Sequence, residues 1–136
     1  MLSISKVIEN AKNQHYNALK AAQSTLDITD WILYFGNVIL TAQIEAKQLV
    51  EFTVKKVKYF DSFRELLNER QQKVINRMFE AGAEGIQGGM TAEKYMAIAK
   101  TSKATATRDF QRLNEIGALQ VFGAGRSVRY ELVFQV

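Results

Sequence analysis

The chain has no cysteine, no proline and a single histidine, His15. Without cysteine there is neither a disulfide framework nor a thiolate metal site. One histidine argues equally against a histidine-based metal centre, so the expected complement of metals and cofactors is none. The absence of proline removes the strongest helix breaker and suits long uninterrupted helices. No apolar run approaches the roughly 18 residues of a membrane span, and the N-terminus carries no signal-peptide pattern. Together these absences predict a cytoplasmic protein without membrane contact.

What is present suffices for a real core, since 136 residues make one large domain or two small ones. The 18 lysines and arginines exceed the 14 aspartates and glutamates by four. Between Lys100 and Tyr130, six basic residues (Lys100, Lys103, Arg108, Arg112, Arg126 and Arg129) stand against Asp109 and Glu115, so this one segment accounts for the whole excess. Such a concentration is the electrostatic footprint of nucleic-acid binding. A solvated face with spare lysines gives the same count.

The stretch from Thr101 to Leu119 organises the rest. Thr101 and Ser102 are N-cap types, and Ala106, Phe110 and Leu113 fall on one face of a 3.6-residue helix. The other face carries Lys103, Thr105, Thr107, Arg108 and Arg112, all donors able to reach a phosphate or a base edge. Gly117 stands where a left-handed C-cap residue belongs. Upstream, TAEKYMAIAK reads as a shorter helix capped by Thr91, with Tyr95, Ile98 and Ala99 inward. Two short helices with a tight turn, the second basic, predict a helix-turn-helix. A strand at Leu119–Phe122, a glycine-rich turn GAGRS and an alternating strand from Val128 to Val136 predict a hairpin wing behind it. The pattern from Ser102 to Leu119 resembles the winged-helix DNA-binding domains of bacterial regulators.

Toward the N-terminus, residues 3 to 22 read as one helix, with Ile4, Val7, Ile8, Ala11, His15, Ala18, Leu19 and Ala22 at three- and four-residue steps. After a break at Ser24–Leu26, Asp27 or Thr29 caps a second helix that runs from Asp30 to near Phe60, with Asp30 favourably placed in its first turn. Between Trp31 and Leu40 only Gly36 and Asn37 are not large apolar or aromatic residues. A helix apolar on all sides has to be buried on all sides, which calls for a second copy of the chain or another part of a larger protein. The run Lys55–Lys58 reads as an outer helix face. NERQQKVINRMFEAG, from Asn68, reads as the first helix of the winged domain with Val74, Ile75, Met78 and Phe79 inward, followed by a flexible loop around Gly82, Gly85, Gly88 and Gly89. The expected fold is mainly α: a helical segment over 1–63 with a long helix, then a winged helix-turn-helix domain over 64–136.

Residues 5 to 35 are similar to the segment that follows the active-site motif in Fic-family proteins. Tyr16, Ala18, Leu19, Ala22 and Gln23 match that family's aromatic-x-Ala-Leu-x-x-Ala-Gln helix, and Leu26 to Thr29 with Trp31 match the turn behind it. Leu67 to Gln71 match the Leu-Asn-x-Arg-Gln that opens the winged helix in many members. The family transfers AMP from ATP through a His-x-Phe-x-(Asp/Glu)-Gly-Asn-Gly-x-x-Arg motif, which this sequence lacks. His15 is followed by Tyr16 and Asn17, and Gly36-Asn37 has no histidine or acidic residue in front. The resemblance implies the C-terminal part of a Fic protein, without AMP-transfer activity of its own.

Two functions remain open. In the first, the chain binds double-stranded DNA: Ser102 caps the recognition helix and offers N–H groups to a phosphate, Lys103, Thr105 and Thr107 face the major groove, Arg108 and Arg112 touch backbone or guanine, and Arg126 and Arg129 bring the wing to a phosphate or the minor groove. Thr105 and Thr107 are the better candidates for base contact, and Arg108, held by Asp109 and Phe110 near the inner edge, for phosphate. In the second, the winged domain docks or directs the Fic catalytic domain, with Asp109 and Glu115 neutralising the arginines beside them. In either case the apolar helix predicts a homodimer or a catalytic domain packed on it.

Overall fold

A computed structural model describes residues 4–134, the side chain of Arg126 excepted. The described chain is mainly helical, with α1 (Ile4–Asn10), α2 (Lys12–Ser24), α3 (Thr29–Phe63), α4 (Glu69–Glu80), α5 (Ala92–Ala99) and α6 (Lys103–Glu115), then an antiparallel hairpin of β1 (Leu119–Phe122) and β2 (Arg129–Leu132). It packs as two compact units, Met1–Glu51 and Phe52–Val136, and the last turns of α3 belong to the second. No described helix is long and apolar enough to cross a membrane.

In the N-terminal unit the single helix expected over 3–22 is two. Neither glycine nor proline marks the break; at Ala11 the backbone leaves the helical region (φ −119°, ψ 35°) and its N–H bonds Ile8 O, three residues back. The ladder restarts where His15 N–H donates to Ala11 O. Asp27, not Thr29, supplies the capping oxygen of α3: its Oδ1 accepts the Thr29 N–H at 2.9 Å. Hydrogen bonding to the Thr29 side chain and backbone holds that exposed carboxyl below its ordinary value.

Helix α3 passes through Gly36 without interruption. Val38 and Ala42 are buried and Trp31 and Tyr34 half-buried, with the His15 ring 5.8 Å from Trp31 and 6.0 Å from Tyr34. The rest of the apolar segment finds little cover within the chain. Ile32, Leu33 and Leu40 each keep more than half of their surface exposed, because only one face of the helix finds cover within the chain.

The C-terminal unit is built on one core. Tyr59 and Phe63 at the end of α3 join Val74, Ile75, Met78 and Phe79 of α4, Tyr95 of α5 and Ala106, Phe110 and Leu113 of α6. Helix α4 begins with a capping box: Asn68 Oδ1 accepts the Gln71 N–H, and Gln71 Oε1 accepts the Asn68 N–H. Thr91 and Ser102 cap α5 and α6 in turn. At the far end of α6, Gly117 adopts φ +74°, its N–H bonds Asn114 O, and Ala118 N–H bonds Leu113 O. That is the double bond pattern of a Schellman cap. The buried Tyr59 hydroxyl donates to Ala118 O at 2.9 Å, and burial pushes its phenol well above the ordinary value.

Three residues, Lys100, Thr101 and Ser102, turn α5 into α6. Lys100 is the sole non-glycine residue with positive φ (50°) among the described residues. The left-handed region costs a residue with a Cβ about 1–2 kcal/mol relative to the right-handed one. Lys100→Gly is therefore expected to stabilise the unit by about 0.5–1 kcal/mol, the gain being reduced by glycine's larger unfolded-state entropy. A thermal melt that stays the same or falls would show that this turn carries no strain.

Strand β2 is shorter than the segment Val128–Val136. Its pairing with β1 runs from Phe122↔Arg129 to Leu119↔Leu132, and beyond it Val133 N–H reaches Ala118 O. The partner strand ends there because Gly117 and Ala118 are committed to the α6 cap; Gln135 and Val136 lie outside the described residues. The loop after α4 is also not the free segment its glycines suggest. Gly89 is buried, and a Cβ there would stand 2.9 Å from the Arg129 side chain. Met90 exchanges two backbone hydrogen bonds with Tyr130, at 2.9 and 2.8 Å, adding a third chain segment to the hairpin.

Candidate nucleic-acid interface

Helix α6 buries Ala106, Phe110 and Leu113 almost completely. Residues advance by about 100° each around a helix, so the opposite face is centred on Ala104, Arg108 and Glu115 and flanked by Gln111 and Arg112, with Thr107 near its edge and Lys103 beyond it. All seven are exposed. Ala104 and Gln111 escape a reading of the sequence that follows charged and hydroxyl donors, although position alone places them on that face. Arg112 flanks its other side, and Thr105 is half-buried at the edge.

Ser102 is exposed and its hydroxyl accepts the Thr105 N–H at 3.3 Å, with the Thr105 hydroxyl 3.1 Å away. The two side chains thus serve the cap first. Thr107 donates its hydroxyl proton to Lys103 O at 2.9 Å, which leaves the exposed hydroxyl oxygen its lone pairs as acceptors. Thr107 is accordingly the more accessible of the two threonines.

The arginines differ from the sequence reading in their partners. Asp109 does not neutralise Arg108; it points inward and is buried. Arg70 of α4 grips it with both arms of a fork, Nε to Oδ2 at 2.6 Å and Nη2 to Oδ1 at 3.0 Å. Tyr95 OH donates to Oδ2 at 2.7 Å and Gln71 Nε2 to Oδ1 at 3.2 Å. Burial on its own raises the Asp109 carboxyl, but the hydrogen bonds from Arg70, Tyr95 and Gln71 and the Arg70 charge outweigh it and hold it below the ordinary range. Burial and the neighbouring Asp109 carboxylate push the Tyr95 phenol up, so Tyr95 stays a donor. Leu67 to Gln71 thereby gain a structural role: a buried leucine, a cap, and two donors to one carboxylate.

With Asp109 engaged, Arg108 and Arg112 make no ion pair among the described residues, and Glu115 is the acidic residue left on the outer face of α6. In the wing, Arg129 is exposed, its Nε lies 3.3 Å from Glu131 Oε1, and its guanidinium sits 5.8 Å from the Phe122 ring centre. Exposed pairs of this kind are worth at most about 1 kcal/mol, so a phosphate can displace Glu131. The Arg126 side chain lies outside the described residues. A groove between α6 and the wing is lined by Lys103, Thr107, Val128 and Tyr130, with Glu93 of α5 at its side.

The geometry therefore places Arg108, Gln111 and Arg112 on the outward face of α6, leaves Lys103 and Thr107 exposed on the side that borders the groove to the wing, and sets Ser102 and Thr105 at the helix start. No protein-family profile and no curated protein sequence matches the chain.

Proposed function

We propose that the chain is a DNA-binding, transcription-regulator-like module working in the cytoplasm, with α6 as the recognition helix in the major groove. The observation that carries this reading is the disposition of charge on α6: Arg108 and Arg112 stand exposed without ion pairs while Asp109 is turned inward to Arg70. Phosphates would be met by Lys103, Arg108, Arg112 and the wing's Arg129, and base edges by Thr107 and Gln111, whose amide suits adenine. On the resemblance to the bacterial Fic family, the module belongs at the C-terminal end of such a protein, itself lacking the AMP-transfer motif.

The test is the salt dependence of duplex binding, followed by fluorescence anisotropy. Removing one side chain that neutralises a phosphate makes the slope of log K against log salt shallower by about one unit. Arg108→Ala and Arg112→Ala are each expected to do so, and Gln111→Ala is expected to leave the slope alone while relaxing preference at one base. Unchanged binding in both arginine variants at low salt would sink the DNA reading.

A second reading, a module that docks or directs the Fic catalytic domain, is favoured by a different observation. The exposed Ile32, Leu33 and Leu40 of α3 form apolar surface that suits a protein partner. Binding through that surface would hold its strength as salt rises.

A further inference from the structure

Helix α3 has two faces. Val38, Ala42, Tyr59 and Phe63 lie on the side that is buried within the chain. On the other side Leu33, Gly36, Leu40, Gln43, Lys47, Val50, Val54 and Val57 succeed one another in strictly alternating steps of three and four, and every one is exposed. The five large apolar members are 47% to 62% exposed. A three-four alternation sustained over more than three heptads is the a/d seam of a coiled coil, here on a helix whose back is already occupied.

The seam also identifies its occupant, because it is complementary to itself read backwards. About a two-fold axis beside Glu45, Leu33 falls opposite Val57, Gly36 opposite Val54, Leu40 opposite Val50, and Gln43 opposite Lys47. Every such pair sets an a position against a d position, as antiparallel two-stranded coiled coils require. The polar residues meet only each other, with the Gln43 amide oxygen as acceptor for the Lys47 ammonium. A parallel pairing would instead stack Gly36 on Gly36, leaving a hole, and Lys47 on Lys47, placing like charges at the centre. We propose that α3 pairs with the α3 of a second copy as an antiparallel seam running from Leu33 to Val57, with the Gln43–Lys47 layers fixing its register.

This goes beyond the DNA reading and does not depend on it: a chain that dimerises without binding DNA sinks only that reading. The native chain has no cysteine, so introduced thiols are unambiguous. In the full chain, an equimolar mixture of Leu40→Cys and Val50→Cys variants is expected to form a mixed disulfide on mild oxidation. Leu40→Cys alone should not, since the two Leu40 positions lie ten residues apart along the pair, about 15 Å, well past disulfide reach. Leu40→Glu, at an exposed position whose fold is checked by circular dichroism, should weaken the dimer at least about 100-fold in sedimentation. A native chain that sediments as a monomer at high concentration would overturn the proposal. So would self-linking of the Leu40→Cys variant, which reports a parallel pair, or a folded Leu40→Glu variant that remains fully dimeric.

Discussion

Replacing Arg70 with methionine is expected to cost the C-terminal unit about 3 kcal/mol or more at neutral pH, near the low end of the range for breaking a buried ion pair, and to reverse its response to acid. The asymmetry of the pair decides the size. The Asp109 side chain is only 8% exposed, whereas that of Arg70 is 37% exposed. Without the guanidinium, a buried carboxylate keeps two neutral donors, Tyr95 and Gln71, and no countercharge. Those two donors are why the loss falls at the low end. Asp109→Asn leaves an arginine with a path to water, so its cost is expected to be smaller, about 1–3 kcal/mol.

The sign of the pH effect follows from the same groups. In the native chain the Asp109 carboxyl is held below its ordinary value, so its contribution is complete above the unfolded value near 3.9 and is lost as pH falls through the lower folded one. Between pH 7 and about 4 the native unit therefore changes little on this account. In Arg70→Met burial dominates, the folded carboxyl rises above the unfolded one, and protonation on acidification relieves the cost. Urea unfolding at pH 7 and pH 5 should show the variant recovering stability where the native chain does not. A deficit below about 1 kcal/mol, or one that does not shrink at the lower pH, would show that the clamp is not electrostatic.

That clamp also marks where the sequence is legible and where it is not. Helix α6 can be read almost whole, since its cap at Ser102, the Ala106–Phe110–Leu113 face and the Gly117 stop are local signals within one stretch. The Arg70–Asp109 pair joins residues 39 apart, and no local rule connects them. One sign was present: Asp109 falls in the apolar phase of the helix, one residue before Phe110, where a charge needs a partner from elsewhere in the fold. Its neighbour Arg108 is the wrong partner because adjacent residues on a helix point about 100° apart. The Met90–Tyr130 bridge is hidden for another reason, since its glycine-rich approach resembles a free loop. The outer face of α3 is legible as apolar surface in want of cover, because Trp31 to Leu40 is apolar nearly all round; the residues that stay exposed there are fixed only by which face the chain itself packs on.

Phe110→Ala is expected to be at least as costly, about 3–5 kcal/mol, because it empties the centre of the winged unit. Phe110 is essentially fully buried, and its ring meets Tyr95 edge-on at 4.8 Å and lies flat on Tyr130 at 3.8 Å with only 5° between the planes. One side chain thus ties α6 both to α5 and to the wing. Leu113 and Ala106 on the same face cannot close the space, being packed already against other core residues. The Tyr130 contact is separable from the cavity by a double-mutant cycle. Tyr130→Ala leaves the backbone bonds between Met90 and Tyr130 available, and the half-buried ring it removes costs less than Phe110. If the flat stack contributes beyond area, the two substitutions together should cost less than their sum by about 0.5–1.5 kcal/mol. Urea unfolding of the native chain and the three variants, with equal slopes confirming the same unfolded reference, gives that coupling directly. Additive losses would mean that the flat stack adds nothing to the hold on the wing, which its backbone pairing with Met90 and the core contacts of Leu119, Leu132 and Phe134 then supply. The Phe110 ring would in that case anchor α6 to α5 alone.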